Sequence, residues 1–81
     1  MKTEETRVLA RGLNPPGPLL LAKKKLAGLE SGGVLRVIVS SEEAADELVD
    51  YFLETGLRVE IDNAGEDIHV IVYSAETGAE I

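Results

Sequence analysis

Apolar and polar positions alternate in blocks along the chain. Residues 5–10, "ETRVLA", read as a short strand that runs into a proline-rich segment. From Pro16 a helix can begin, because proline is tolerated in a first turn, where its missing N–H has no helical partner to lose. Leu19, Ala22, Leu26 and Leu29 then recur at helical spacing, and Leu20 and Ala27 widen that apolar stripe. Lys23, Lys24 and Lys25 sit late in the segment, where positive charge suits the helix dipole. "ESGG", 30–33, ends it. "VLRVIV", 34–39, is β-branched and too short for a helix, so it predicts a strand buried on both faces.

"SSEE", 40–43, predicts a second helix start, with Ser40 and Glu43 as a capping box. Ala45, Leu48, Val49 and Phe52 form its buried stripe, and Gly56 is its C-terminal cap. "LRVEID", 57–62, sets Leu57, Val59 and Ile61 inward against Arg58, Glu60 and Asp62 outward. "NAGED", 63–67, is a hairpin turn. "IHVIVY", 68–73, puts Ile68, Val70 and Val72 on one face and His69, Ile71 and Tyr73 on the other. Residues 74–81 are expected to be a loose tail.

The predicted order is β-α-β-α-β-β. The fold class is an α/β (α+β) two-layer sandwich: a four-stranded mixed sheet with two helices on one face. The other face is open, and Ile71 and Tyr73 fall on it. Apolar residues there suggest a partner surface, including a homodimer.

The chain has 81 residues and 44% hydrophobic content, which predicts a single folded domain, with its core at about 6–73. The net charge is −7, which argues against nucleic acid as a partner. The charge is uneven. Residues 1–39 hold seven Lys/Arg and three Glu, whereas residues 40–81 hold one Arg and twelve Asp/Glu. Solvated helix faces account for much of this; docking faces for charged partners are the alternative. No apolar run approaches the roughly 18 residues of a membrane span, and "MKTEETRV" has no apolar signal core, so membrane insertion is not expected and the cytoplasm is the expected location.

There is no cysteine, which removes disulfides, thiolate metal sites and thiol nucleophiles. His69 is the one histidine, with no nucleophile near it in sequence, and reads as a sheet-face residue. "DNAGED", 62–67, lacks the length and terminal bidentate glutamate of a calcium loop. "GPLLLAKKK" lacks the Gly-Lys-Ser/Thr of a phosphate loop. No catalytic residue, metal or cofactor is expected. The proline junction is a candidate anion site through the N–H groups of Gly17, Leu19 and Leu20, aided by Arg11, or else simply a rigid helix start.

All three prolines lie in "RGLNPPGP", 11–18, at the first strand-to-helix junction. With the β-α-β-α-β-β order, this segment resembles the TusA/SirA/YedF-like sulfur-carrier family, whose pattern is Gly-Leu-x-Cys-Pro-x-Pro. Here it reads Gly12, Leu13, Asn14, Pro15, Pro16, Gly17, Pro18. The glycines of the Gly32-Gly33 turn and Gly56 also match. The resemblance covers residues 6–73. It implies a motif cysteine that carries sulfur as a persulfide, lowered in pKa by the helix start behind it. The matching position is Pro15, which has neither thiol nor N–H. Gly12 would let the backbone turn, and Leu13 would anchor the junction in the core. The resemblance therefore implies the fold and a docking frame, Arg11 to Pro18, without the chemistry. Three roles are open on these grounds: a non-catalytic binding or regulatory module, a member of a sulfur-transfer pathway (an accessory or competitor, or a sulfurtransferase by descent), or a self-associating domain that uses the open sheet face.

Overall fold

The computed structural model describes residues 5–29 and 32–74. The elements are β1 (Glu5–Leu9), α1 (Gly17–Ala27), β2 (Val34–Val39), α2 (Glu42–Glu54), β3 (Arg58–Ala64) and β4 (Asp67–Tyr73). They form one four-stranded sheet in the order β1-β2-β4-β3. β1 and β2 are parallel, with Val8 opposite Val37, and β4 is antiparallel to both β2 and β3. β1, β2 and β3 thus share one direction, and α1 and α2 return antiparallel to them on the same face. Of the expected tail, residues 75–81 lie outside the described residues. No helix among the described residues is long and apolar enough to cross a membrane.

The core lies between sheet and helices. Val8, Leu35, Val37, Val39, Val70 and Val72 line the sheet side, and Ala22, Ala44, Ala45, Leu48 and Phe52 come from the helices. β2 is central and is buried on both faces, as its β-branched composition predicts.

The helix ends explain themselves locally. α2 starts one residue later than expected. Its cap is Ser41, in extended conformation, whose side chain accepts from Ala44 N–H at 3.2 Å. The third helical residue is therefore Ala44, so Glu43 is not in position for a capping box. At the other end, Gly56 N–H donates to Leu53 O and Leu57 N–H to Phe52 O, the paired bonds of a Schellman motif. Gly56 has φ +87° there. No atom within 4 Å would meet a Cβ at Gly56. We therefore expect Gly56→Ala to cost about 1 kcal/mol through backbone strain alone, read as a lower urea midpoint with an unchanged m-value.

Two stripes turn out differently from the periodic pattern. In α1, Leu20 is 58% exposed and Ala27 is exposed, while Pro18 and Ala22 are buried. The helix offers one strip to the sheet, and Leu20 and Ala27 lie beyond it. In β3, Ile61 is 48% exposed although it shares a sheet face with Val59. β3 is an edge strand, and the helix layer does not reach over its far half. The β3–β4 turn is also tighter than expected. Ala64 pairs with Asp67, leaving only Gly65 and Glu66 in the loop.

Candidate functional site

The junction between β1 and α1 sits at the carboxyl ends of the parallel pair β1 and β2. Ala10, 1% exposed, donates its N–H to Ile38 O at 2.8 Å and so ties the outgoing chain to β2. Gly12 follows with φ +82°, a conformation open to glycine. Its N–H reaches Ser40 Oγ at 3.3 Å, and Leu13 N–H reaches Ala10 O at 3.3 Å. The chain then closes into the helix. Gly17 N–H donates to Asn14 O at 2.7 Å and Leu20 N–H to Pro16 O at 3.0 Å. The Pro15–Pro16 peptide bond is cis. Pro16 is the cap residue, and Pro18, in the first turn, is fully buried.

Pro18 is thus the residue that fastens the junction to the core. Leu13, expected in that role, is 44% exposed. Its Cβ lies 3.5 Å from where a Cβ on Gly17 would sit, so it lies against the start of α1 and not in the core. Asn14 and Pro16 are exposed and Pro15 is half-buried. Leu13, 44% exposed, and Leu20, 58% exposed, are the open apolar side chains that flank the proline segment in sequence.

Of the donors expected to face an anion, Gly17 and Leu20 N–H are used within the turn. Arg11 turns to Asp67, at 3.5 Å. The junction is thereby linked to the β3–β4 hairpin. Ser40 and Asp67 are the site residues that sequence reasoning missed. Their contacts span 28 and 56 positions, and no local signal marks them.

The open sheet face carries a second cluster. Arg36 Nε lies 2.7 Å from Glu5 Oε2, and its Nη1 lies 2.9 Å from His69 Nδ1. A guanidinium has only donors, so Nδ1 accepts. Glu5 also pairs with Arg7 at 3.3 Å. Across the sheet, Arg58 meets Glu60 at 2.7 Å, Tyr73 OH donates to Glu60 at 3.0 Å, and the Arg58 guanidinium lies 4.7 Å from the Tyr73 ring centre. This face is therefore more polar than expected, although Leu9, which shares it with Arg7 and Ile38, is 65% exposed. Ile38 is 6% and Ile71 8% exposed, and the tip of Tyr73 is engaged by Glu60. His69 sits within this network as a sheet-face residue.

The hydrogen bond from Arg36 holds the Glu5 carboxyl below its usual range, with Arg7 adding to it against the opposing effect of burial. Hydrogen bonds from Arg58 and Tyr73 lower Glu60, and the bond to Glu60 raises Tyr73. A depressed carboxyl contributes stability that is present above its unfolded pKa and is lost as pH falls through its folded one. The Glu5→Gln variant should therefore be less stable than the parent at neutral pH. The gap should close in acid, below the ordinary glutamate range. Urea midpoints across that range check it; a gap independent of pH would remove the ion pair as its cause.

Among the described residues, no group of three or more His, Asp and Glu is placed to hold a metal. With no thiol in the chain, the junction offers shape, one arginine already paired and two open leucines.

A family model described as Sulfurtransferase TusA matches residues 7–73. Among solved structures, the crystal structure of a SirA-like protein from Desulfitobacterium hafniense superposes with a TM-score of 0.80 at 30% identity, covering 88% of this chain and 99% of that one. No curated protein matches the chain.

Proposed function

The chain belongs to the TusA family, and we propose that it serves a sulfur-relay system as a docking domain that carries no sulfur itself. Proteins of this family work in such relays. The observation that carries the reading is the junction. The Gly-Leu turn, the helix start and the buried Pro18 are all formed, while the chain has no cysteine. In this reading Pro15 stands where the family's cysteine would be. The whole chain acts as one TusA-like domain, in the cytoplasm. The frame from Arg11 to Pro18, together with Leu20, is what a partner touches. Apolar area exposed beside a rigid turn is inexpensive to bury, because the backbone is already ordered.

Such a domain would compete with a sulfur-bearing relative for a shared partner, and would neither accept nor pass on sulfur. The test is a reconstituted transfer from a persulfide donor, a cysteine desulfurase or a DsrE-like protein, to a cysteine-bearing family member. Adding this chain should slow transfer in proportion to its concentration, and Leu13→Asp with Leu20→Asp should abolish the effect. Sulfur recovered on the purified chain would end the proposal, as would a donor that shows no association with it.

A further inference from the structure

All four ion pairs of the described residues use an arginine, Arg7, Arg11, Arg36 or Arg58, and none involves a helix residue. The helix layer is the opposite case. α1 carries Lys23, Lys24 and Lys25 and no acid, and α2 carries Glu42, Glu43, Asp46, Glu47, Asp50 and Glu54 and no base. None of these is in an ion pair. Lys23 Nζ lies instead over the Tyr51 ring, 4.8 Å from its centre.

The two helices run side by side in the same direction, so the layer shows one basic and one acidic stripe. On α1, the spacing of Leu20, Lys23, Lys24 and Ala27 puts them on one exposed strip. On α2, Glu43, Asp46, Asp50, Leu53 and Glu54 do the same, with Leu53 55% exposed. A two-fold axis parallel to the helices and lying between two facing layers sets α1 of one copy over α2 of the other. It does so twice, which is the isologous arrangement of a symmetric dimer. Such an axis preserves height along the helices. Lys23 is level with Tyr51, so Lys23 and Lys24 of one copy meet Asp50 and Glu54 of the other.

We infer that this helix layer, and not the sheet face, is a self-association surface whose occupant is a second copy of the chain. The sheet face pairs most of its charges internally, whereas the helix layer contains the complement of each of its own stripes. An unrelated partner would need an acidic and a basic stripe at the same separation; the chain already has both. The net charge of −7 opposes the approach of a second copy, so the attraction depends on register. It is therefore sensitive to where charges sit as well as to their sum.

That dependence gives the test, by sedimentation equilibrium of the full chain at low ionic strength. The parent should show a monomer–dimer equilibrium. Asp50→Lys with Glu54→Lys adds four positive units and brings the net charge from −7 to −3. General repulsion then falls, yet lysines now face lysines. Dimerisation should weaken at least about tenfold. Adding Lys23→Glu and Lys24→Glu restores the net charge to −7 with the stripes exchanged, and dimerisation should return. The same four-fold variant should not pair with the parent chain. The substituted positions are exposed, and a thermal melt confirms that each variant is folded. A monomeric parent, or tighter dimers in the −3 variant, overturns the proposal. Loss without recovery in the exchanged variant does so too.

Discussion

Pro15→Cys should turn a chain with no reactive thiol into one whose thiol is alkylated in the folded state at neutral pH. Pro15 is half-buried between exposed Asn14 and Pro16, so a sulfur there reaches solvent. It would stand two residues before α1, near the positive end of the helix dipole, which favours the thiolate. A free cysteine titrates near 8.5, so a lowered pKa should show as iodoacetamide reactivity persisting below about pH 8. If the frame is that of a sulfur carrier, the variant should also take up one persulfide sulfur from a desulfurase. Mass spectrometry reads this as a single sulfur added, absent from the parent. A thiol that resists alkylation until the protein is denatured would show a closed junction, and would count against the docking role as well.

Phe52→Ala should remove a large share of the chain's stability, the largest loss expected of any single substitution considered for this protein. The side chain is fully buried among Leu48, Val70 and Val72, and its ring meets Tyr51 edge-on at 5.1 Å and 82°. Truncating a buried phenylalanine costs about 3–5 kcal/mol in transfer and cavity terms. A domain of this size has about 4–12 kcal/mol in all. Phe52 also forms the floor of an open groove of about 420 Å³ between α1 and α2, lined with Lys23, Leu26, Ala27, Tyr51, Thr55 and Leu57. The groove leaves the surrounding side chains little reason to collapse into the space. Thermal unfolding followed by circular dichroism checks this; a loss below about 1 kcal/mol would mean that the helices repack.

Much of the candidate site was legible because its determinants are local. A glycine at positive φ, prolines confined to a helix start and an absent cysteine are properties of adjacent residues. The junction's supports were not legible. Ser40 reads as a cap in sequence, but it serves Gly12, and Ser41 does the capping. Arg11 reads as a free cation, but Asp67 takes it. Leu13 reads as core, but the buried anchor is Pro18. In each case the competing partner is far away in sequence, and its arrival depends on strand order.

The sequence by itself determined the element order, the doubly buried β2, the Gly56 helix stop and the loss of thiol chemistry. Each follows from periodicity, backbone preference or composition, which act over a few residues. Only the tertiary structure decided that β4 lies between β2 and β3, and with it which faces are covered. That one choice makes β3 an edge strand with Ile61 exposed. It sets His69 beside Arg36, whose other partner, Glu5, comes from the parallel neighbour β1. A helix or strand pattern says that an apolar face exists; what covers it is set by long-range packing, which no local spacing encodes.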